Sequence, residues 1–180
     1  MSLKSDLRTV LRRKRLSLSL ERRQEAKERA CKKLYLDLKA FNKILSFYPL
    51  SEEIDISSFN MQLAEEGRLI LPLCESNREL SPYLVSHLKK DVQTNTNTGV
   101  CEPIKQRCRQ MPLDQLEVIL VPGLGFYSDG HRLGFGMGCY DRLLKQICCP
   151  TYGVGFKEQL LKEKLIVEEH DVGLTEVFLF

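Results

Sequence analysis

Tryptophan is absent from the 180 residues, histidine occurs only three times, and the seven cysteines include no CxxC pair. A zinc ribbon or a histidine-built metal centre is thereby excluded, because such sites need His or paired Cys at short spacing. No apolar run approaches the ~20 residues of a membrane span, and the N-terminal MSLKSDLRTV lacks the apolar core of a secretory signal. An odd number of scattered cysteines implies free thiols in a reducing compartment. These absences together predict a cytoplasmic protein with no membrane contact. No stretch rich in Pro, Gly or Ser divides the chain, and no repeat is present. One domain spanning residues 1–180 is expected, with N-terminal helices over 2–38 packing on the rest. A net charge of +3 is too small to imply a polyanion partner. The basic excess lies between Lys4 and Lys33 with no aromatics interleaved, which argues against nucleic-acid binding.

Among the features present, helical spacing comes first. Leu3, Leu7, Val10 and Leu11 predict an amphipathic helix over 2–16. Ser19 is an N-cap for a second helix, whose Ala26, Ala30, Leu34 and Leu38 follow a four-residue stride. A different rhythm follows. Ile44 to Tyr48 reads as a strand ended by Pro49, Ser57 to Glu66 as a helix stopped at Gly67, and Arg68 to Leu71 as a strand ended by Pro72. Strand, helix and strand in that order predict a parallel βαβ unit. Tyr83 to Val85 reads as a further strand and the polar stretch from Lys89 to Thr98 as a loop. The continuous apolar run Val118 to Val121 predicts a buried central strand. A helix from near Gly138 should include Tyr140, Leu143, Leu144 and Ile147, and strands should close the chain at Tyr152 to Gly155 and Val177 to Phe180. The expected architecture is α/β: a three-layer doubly wound domain with a mostly parallel central sheet flanked by helices.

Chemistry concentrates in Arg132-Leu133-Gly134-Phe135-Gly136-Met137-Gly138-Cys139-Tyr140-Asp141-Arg142. Glycines permit positive φ and let an anion approach the backbone closely. Successive N–H groups then form an anion site, with Arg132 and Arg142 as charge-assisted donors. Asp141 is placed to hold a divalent metal riding on phosphates, because Mg²⁺ takes oxygen ligands and usually one or two carboxylates. The spacing is neither the dinucleotide fingerprint nor a Walker loop, so it says phosphate without saying which. Alternating glycines also serve turns and tight packing.

A second constellation lies on the first helix. Lys4, Arg8, Arg12 and Arg15 share one face, at the margin of its apolar stripe. That face reads either as solvated or as a set of cations, Lys4 and Arg8 foremost, reaching polyphosphate held by the glycine loop. Isolated His170 reads as a surface or turn residue, and Cys139 has no evident general base beside it for covalent catalysis.

The two constellations occur in this order in the 5-formyltetrahydrofolate cyclo-ligase family (5,10-methenyltetrahydrofolate synthetases), which the chain resembles from end to end. The resemblance is carried by Lys4-x-x-Leu7-Arg8, Arg15-x-x-Leu18-Ser19, Glu53-x-Asp55, Leu71-Pro72 and Gly99-x-x-Glu102-Pro103. It continues through Val121-Pro122-Gly123-Leu124-x-Phe126, the loop from Gly130 to Arg142, Gly153-x-Gly155, Gln159, His170-Asp171-Val172 and Thr175-Glu176. The chain departs from the family's usual pattern at Tyr127, Cys139 and Ile56, where Asp, Tyr and Thr are usual.

The resemblance implies ATP- and Mg²⁺-dependent cyclisation of 5-formyltetrahydrofolate to 5,10-methenyltetrahydrofolate, a step of one-carbon metabolism, by a monomer whose ligands are the small folate and ATP. By position, Lys4, Arg8, Arg132 and Tyr140 would be catalytic. ATP would contact Lys4, Arg8, Arg132, Leu133, Gly134, Phe135, Gly136, Met137, Gly138, Cys139 and Tyr140. The folate would meet Tyr48, Glu53 and the loop residues Phe135, Gly136, Met137, Gly138 and Cys139. Asp141 and Asp171 would hold the metal. A competing reading is an α/β enzyme for a phosphosugar or CoA-type ligand without ATP cleavage, which fold similarity alone does not separate.

Overall fold

The computed structural model describes residues 3–96, 98–161 and 172–180. Helix α1 (Leu3–Leu16) and helix α2 (Leu20–Asp37) follow the expected spacing, and Ser19 caps α2 by accepting from the Arg22 N–H at 3.1 Å. Along α2, Ala26, Ala30 and Leu34 are fully buried, because a four-residue stride keeps them on one face.

Strand β1 (Ile44–Leu45), helix α3 (Ser57–Glu65) and strand β2 (Leu69–Cys74) form the expected parallel βαβ unit, and Gly67 leaves the helix at φ +68°. Strand β1 is shorter than Ile44 to Tyr48. After Ser46 the backbone turns away from the ladder, held where the buried Asn60 accepts from Ser46 Oγ at 2.7 Å and donates to the Phe47 carbonyl at 2.9 Å. Strand β3 (Leu80–Leu84) is antiparallel to β2. The stretch from Lys89 to Thr98 is not simply a loop. It contributes β4 (Val92–Thr94), paired antiparallel with β5 (Cys101–Pro103). Its polar residues misled because Gln93 and Thr94 of β4 are exposed and an edge strand of this kind needs few apolar side chains.

The remaining strands are β6 (Arg109–Gln110), β7 (Val118–Val121), β8 (Gly125–Tyr127), β9 (Arg132–Leu133), β10 (Thr151–Gly155), β11 (Leu160–Leu161) and β12 (Glu176–Leu179). Helix α4 (Cys139–Leu144) ends three residues before Ile147, shorter than its apolar spacing suggests. The main sheet has the order β12-β10-β7-β1-β2-β3-β6 and is parallel from β12 to β2, with β3 and β6 antiparallel. It is therefore the mostly parallel, doubly wound sheet expected.

Alternation along the strands divides the core into two layers. Ile44, Leu69, Leu71, Val118 and Leu120 face α2 and α3, while Leu45, Ile70, Ile119 and Val121 face α4. A three-stranded sheet, β11-β8-β9, stands at one end, and α1 packs on it through Leu7 and Leu11 against Leu124, Leu133 and Leu161. The chain first winds outward from β1 to β2 and later returns to the other side of β1 with β7. Such a reversal opens a crevice beyond the carboxyl ends of the two strands, where α/β sheets bind ligands.

Candidate anion and substrate site

The loop that closes this crevice is built by a hairpin. Strands β8 and β9 pair across a turn in which Gly130 has φ +89° and its N–H reaches the Tyr127 carbonyl at 3.1 Å. The hairpin delivers Arg132 to the start of the glycine loop. A Cβ at Gly134 would stand 2.6 Å from Arg132 Nη1, so only glycine leaves that guanidinium its place. Gly136 (φ +97°) and Gly138 (φ +67°) hold left-handed backbone that side chains rarely adopt. Phe135 and Met137, which alternate with the glycines, are 42% and 47% exposed.

Helix α1 meets this loop. Arg8 donates from Nε to the Gly134 carbonyl at 2.9 Å, and a Cβ at Gly136 would lie 3.3 Å from Arg8 Cζ. Lys4 is one turn earlier on the same face. Arg132 donates from Nη2 to Asp141 Oδ1 at 2.7 Å and lies over the Tyr140 ring at 5.5 Å. Arg142 holds the Arg78 carbonyl at 2.8 Å and the Met137 carbonyl at 3.0 Å through Nη2. The Nε atoms of Arg132 and Arg142 are buried and have no hydrogen-bond partner among the described residues. Buried donors are seldom left so, and an anion in the loop would fit them. For a cation the donor set is thin: no group of three His, Cys, Asp or Glu suited to a metal occurs among the described residues. Asp141 alone fits a Mg²⁺ held mainly by phosphate oxygens. Asp171 and His170 lie outside the described residues.

Beside the loop lies a buried ionic cluster. Arg15 is 1% exposed, with Nη2 3.5 Å from Glu52 Oε1 and Nη1 3.9 Å from Glu53 Oε1. Its guanidinium also lies 5.4 Å from the centre of the Phe135 ring. Burial pushes the Glu53 carboxyl up, against the opposing pull of the Leu50 N–H and Arg15. Burial lowers the Arg15 guanidinium from its ordinary value, and Glu53 and Glu52 oppose that shift. Tyr140 borders the same cluster, its hydroxyl pushed up by burial and then by the Glu53 carboxylate. Tyr48 stands past the end of β1, where burial and then Cys101 raise its hydroxyl.

The structure thus brings Arg8, Arg132, Tyr140 and the loop glycines into mutual contact, with Glu53 near Tyr140. Of the two readings of the basic stripe, the solvated face is wrong for Arg8 and Arg15 and holds better for Arg12, whose exposed side chain still pairs with Glu52 at 2.9 Å. Sequence reasoning missed Glu52 altogether, and Gln159, though one of the residues that carry the family resemblance, was given no role. Yet Gln159 is 2% exposed, donates to the Gly123 carbonyl at 2.6 Å and accepts from the Phe156 N–H at 2.7 Å. It braces the turn that follows β7. Asp55, beside Glu53 in the motif, is structural: it pairs with Lys27 at 2.6 Å and accepts from the Ser57 N–H at 2.8 Å at the start of α3.

A wound sheet with a glycine loop and converging arginines beside its reversal point defines an α/β protein with a basic loop at its candidate site. Comparison with known proteins makes the class specific. The chain matches the model of the 5-formyltetrahydrofolate cyclo-ligase family over residues 1–179. It is 28% identical to the 5-formyltetrahydrofolate cyclo-ligase of Mus musculus, covering 98% of this chain and 93% of the relative, and 28% identical to that of Escherichia coli K12, covering 93% and 95%. The solution structure of Aquifex aeolicus 5,10-methenyltetrahydrofolate synthetase superposes with a TM-score of 0.85 at 31% identity, covering 98% of this chain and 89% of that one. The Mycoplasma pneumoniae 5,10-methenyltetrahydrofolate synthetase shares the fold, with a TM-score of 0.77 at 23% identity over 98% of both chains. The chain belongs to the 5-formyltetrahydrofolate cyclo-ligase family, and is an enzyme of the ligase class.

Proposed function

We propose that the chain, acting as one domain, converts 5-formyltetrahydrofolate to 5,10-methenyltetrahydrofolate while ATP becomes ADP and phosphate. The observation that carries this reading is the bond from Arg8 to the Gly134 carbonyl, which sets a helix-borne cation against a loop whose own arginines have unsatisfied buried donors.

The need for ATP follows from the substrate. A formamide carbon is a poor electrophile, and its oxygen is a poor leaving group. Phosphorylation of the formyl oxygen gives an imidate-like phosphate. The N10 amine then attacks the formyl carbon and gives up its proton, the C–O bond breaks, and phosphate departs with the oxygen, closing the five-membered ring as a methenyl cation. Phosphoryl transfer asks mainly for positioning and charge neutralisation. Lys4, Arg8 and Arg132 supply positive charge, and the N–H groups from Gly134 to Gly138 hold oxygens. Asp141 would hold Mg²⁺, with Asp171 as a second carboxylate, and the ion would offset phosphate charge. Tyr48 and Glu53 would face the folate, and Phe135 and Met137 would cover its flat ring and exclude water.

The test is to mix the protein with 5-formyltetrahydrofolate, ATP and Mg²⁺ and follow the methenyl chromophore together with ADP. Equal amounts of both products, each requiring ATP and Mg²⁺, are expected. Product without ATP, or none with all components present, would overturn the reading.

A further inference from the structure

Two thiols face each other where the glycine loop meets the sheet. Cys74 is the last residue of β2 and Cys139 the first of α4, and their sulfurs are 3.9 Å apart. Elsewhere Cys31 and Cys108 contact backbone carbonyls, Cys101 lies 3.4 Å from the Thr94 hydroxyl, and Cys148 is exposed. We propose that Cys74 and Cys139 form an oxidisable dithiol that takes hydroperoxides and, once closed to a disulfide, draws the glycine loop out of its anion-binding shape.

The two sulfurs differ in ways that order the steps. Cys74 sits at the end of a sheet strand, and burial followed by the neighbouring Cys139 pushes its thiol up to about 11. Cys139 lies in the loop, with the Arg142 guanidinium nitrogen 3.9 Å from its sulfur. Cys139 gives its proton to solvent and as thiolate attacks the terminal peroxide oxygen; the O–O bond breaks, the hydroxide or alkoxide that leaves takes a proton back as water or alcohol, and Cys139 becomes a sulfenic acid. Cys74 then attacks that sulfur, the S–O bond breaks, and water leaves with the Cys74 proton. Two electrons pass from the thiols to the peroxide, and one S–S bond forms.

Closure to a bond of ~2.05 Å requires the sulfurs to approach well inside their present contact. The sheet side is the firmer one. Cys74 N–H donates to Glu102 Oε1 at 3.3 Å, and Glu102 Oε2 accepts from Asn95 Nδ2 at 2.9 Å, tying β2 to the β4–β5 ribbon. The movement therefore falls on Cys139 and on Gly138, the residue before it, whose left-handed conformation shapes the loop. Reduction by a dithiol restores the open arrangement.

The loss of ligand binding rests on the proposed ATP site, whereas the dithiol itself does not. Trypsin releases Leu69–Arg78 and Leu133–Arg142, each with a single cysteine, so the pair is read directly by mass spectrometry. The full chain is treated with hydrogen peroxide, its remaining thiols are alkylated, and it is digested without reductant; ATP affinity is measured in parallel. The expected result is a cross-linked pair of those two peptides, with ATP affinity at least ~10-fold weaker and restored by dithiothreitol. Cys74→Ser should bind ATP normally before treatment, give no linked peptide, and keep its affinity within about twofold afterwards. No linked peptide at a dose that oxidises exposed Cys148 overturns the dithiol. A linked peptide with unchanged ATP affinity, or equal loss in Cys74→Ser, overturns the switch. Untreated protein that binds no ATP would count against the proposed function, while the peptide map would still decide the dithiol.

Discussion

Arg8 donates from Nε to the carbonyl oxygen of Gly134 at 2.9 Å, joining positions 126 residues apart. With Nε committed to the loop, the two terminal nitrogens of the guanidinium point their remaining donors elsewhere, which suits a ligand phosphate. Arg8→Ala should lower kcat/KM for ATP by ~10²–10³-fold, the scale of losing one preorganised donor in a water-poor site. Arg8→Lys should recover little, because an ammonium cannot serve the carbonyl and a phosphate with one planar fork. Steady-state kinetics in ATP, with circular dichroism as a control on folding, decides this. Full activity in Arg8→Lys would show that charge alone matters.

Two glycines with positive φ should respond differently to alanine. At Gly136 (φ +97°) the added Cβ lies 3.3 Å from Arg8 Cζ in an exposed loop. At Gly130 (φ +89°) it would lie 2.5 Å from the Leu174 backbone oxygen. Gly136→Ala should cost only ~1–2 kcal/mol of stability but most of the activity. Gly130→Ala should unfold at markedly lower temperature, since backbone cannot swing aside as a side chain can. Similar melting temperatures for the two variants would contradict this.

Gln159 braces the crevice from below. Replacing it with leucine removes the short bond to the Gly123 carbonyl, which keeps only the longer one from Arg15 at 3.5 Å, and leaves the buried Phe156 N–H without its partner. A loss of about 1–3 kcal/mol is expected from urea unfolding. Gln159→Glu should be worse, because a carboxylate cannot donate to the carbonyl and would carry a buried charge. A neutral outcome for both would mean the turn after β7 holds itself.

The Arg22–Glu158 ion pair gives a pH dependence. Arg22 holds both carboxylate oxygens of Glu158, at 2.8 and 2.9 Å, and this bond keeps the Glu158 carboxyl below its ordinary range. A carboxyl depressed in the folded state stabilises above its unfolded value and loses that contribution as pH falls through the folded one. The melting-temperature gap between wild type and Glu158→Gln should therefore be open at neutral pH and close under acid. A gap that widens on acidification would reverse the sign and refute the assignment.

How much of this was legible in the sequence depends on the kind of contact. The stride of Ala26, Ala30 and Leu34 and the unbroken run Val118 to Val121 state their own burial, so α2 and β7 were readable. The glycine alternation from Gly134 to Gly138 marked the loop because it breaks every helical and strand preference at once. Strand β4 was not readable, since pairing of backbone groups leaves no pattern in a polar ribbon. The depth of Arg15 was hidden for another reason. An arginine at helical spacing looks the same whether it meets water or Glu52 and Glu53, and only the segment after β1, folding under α1, decides. Gln159 and Cys74 depend in the same way on partners far along the chain.

The central claim is chemical: the formyl oxygen leaves as phosphate oxygen. The direct measurement uses 5-formyltetrahydrofolate carrying heavy oxygen in its formyl group, with unlabelled ATP and water, and analyses the inorganic phosphate released. One labelled oxygen per phosphate is predicted, because phosphorylation makes that oxygen part of the leaving group. Label found in water, with unlabelled phosphate, would contradict the account.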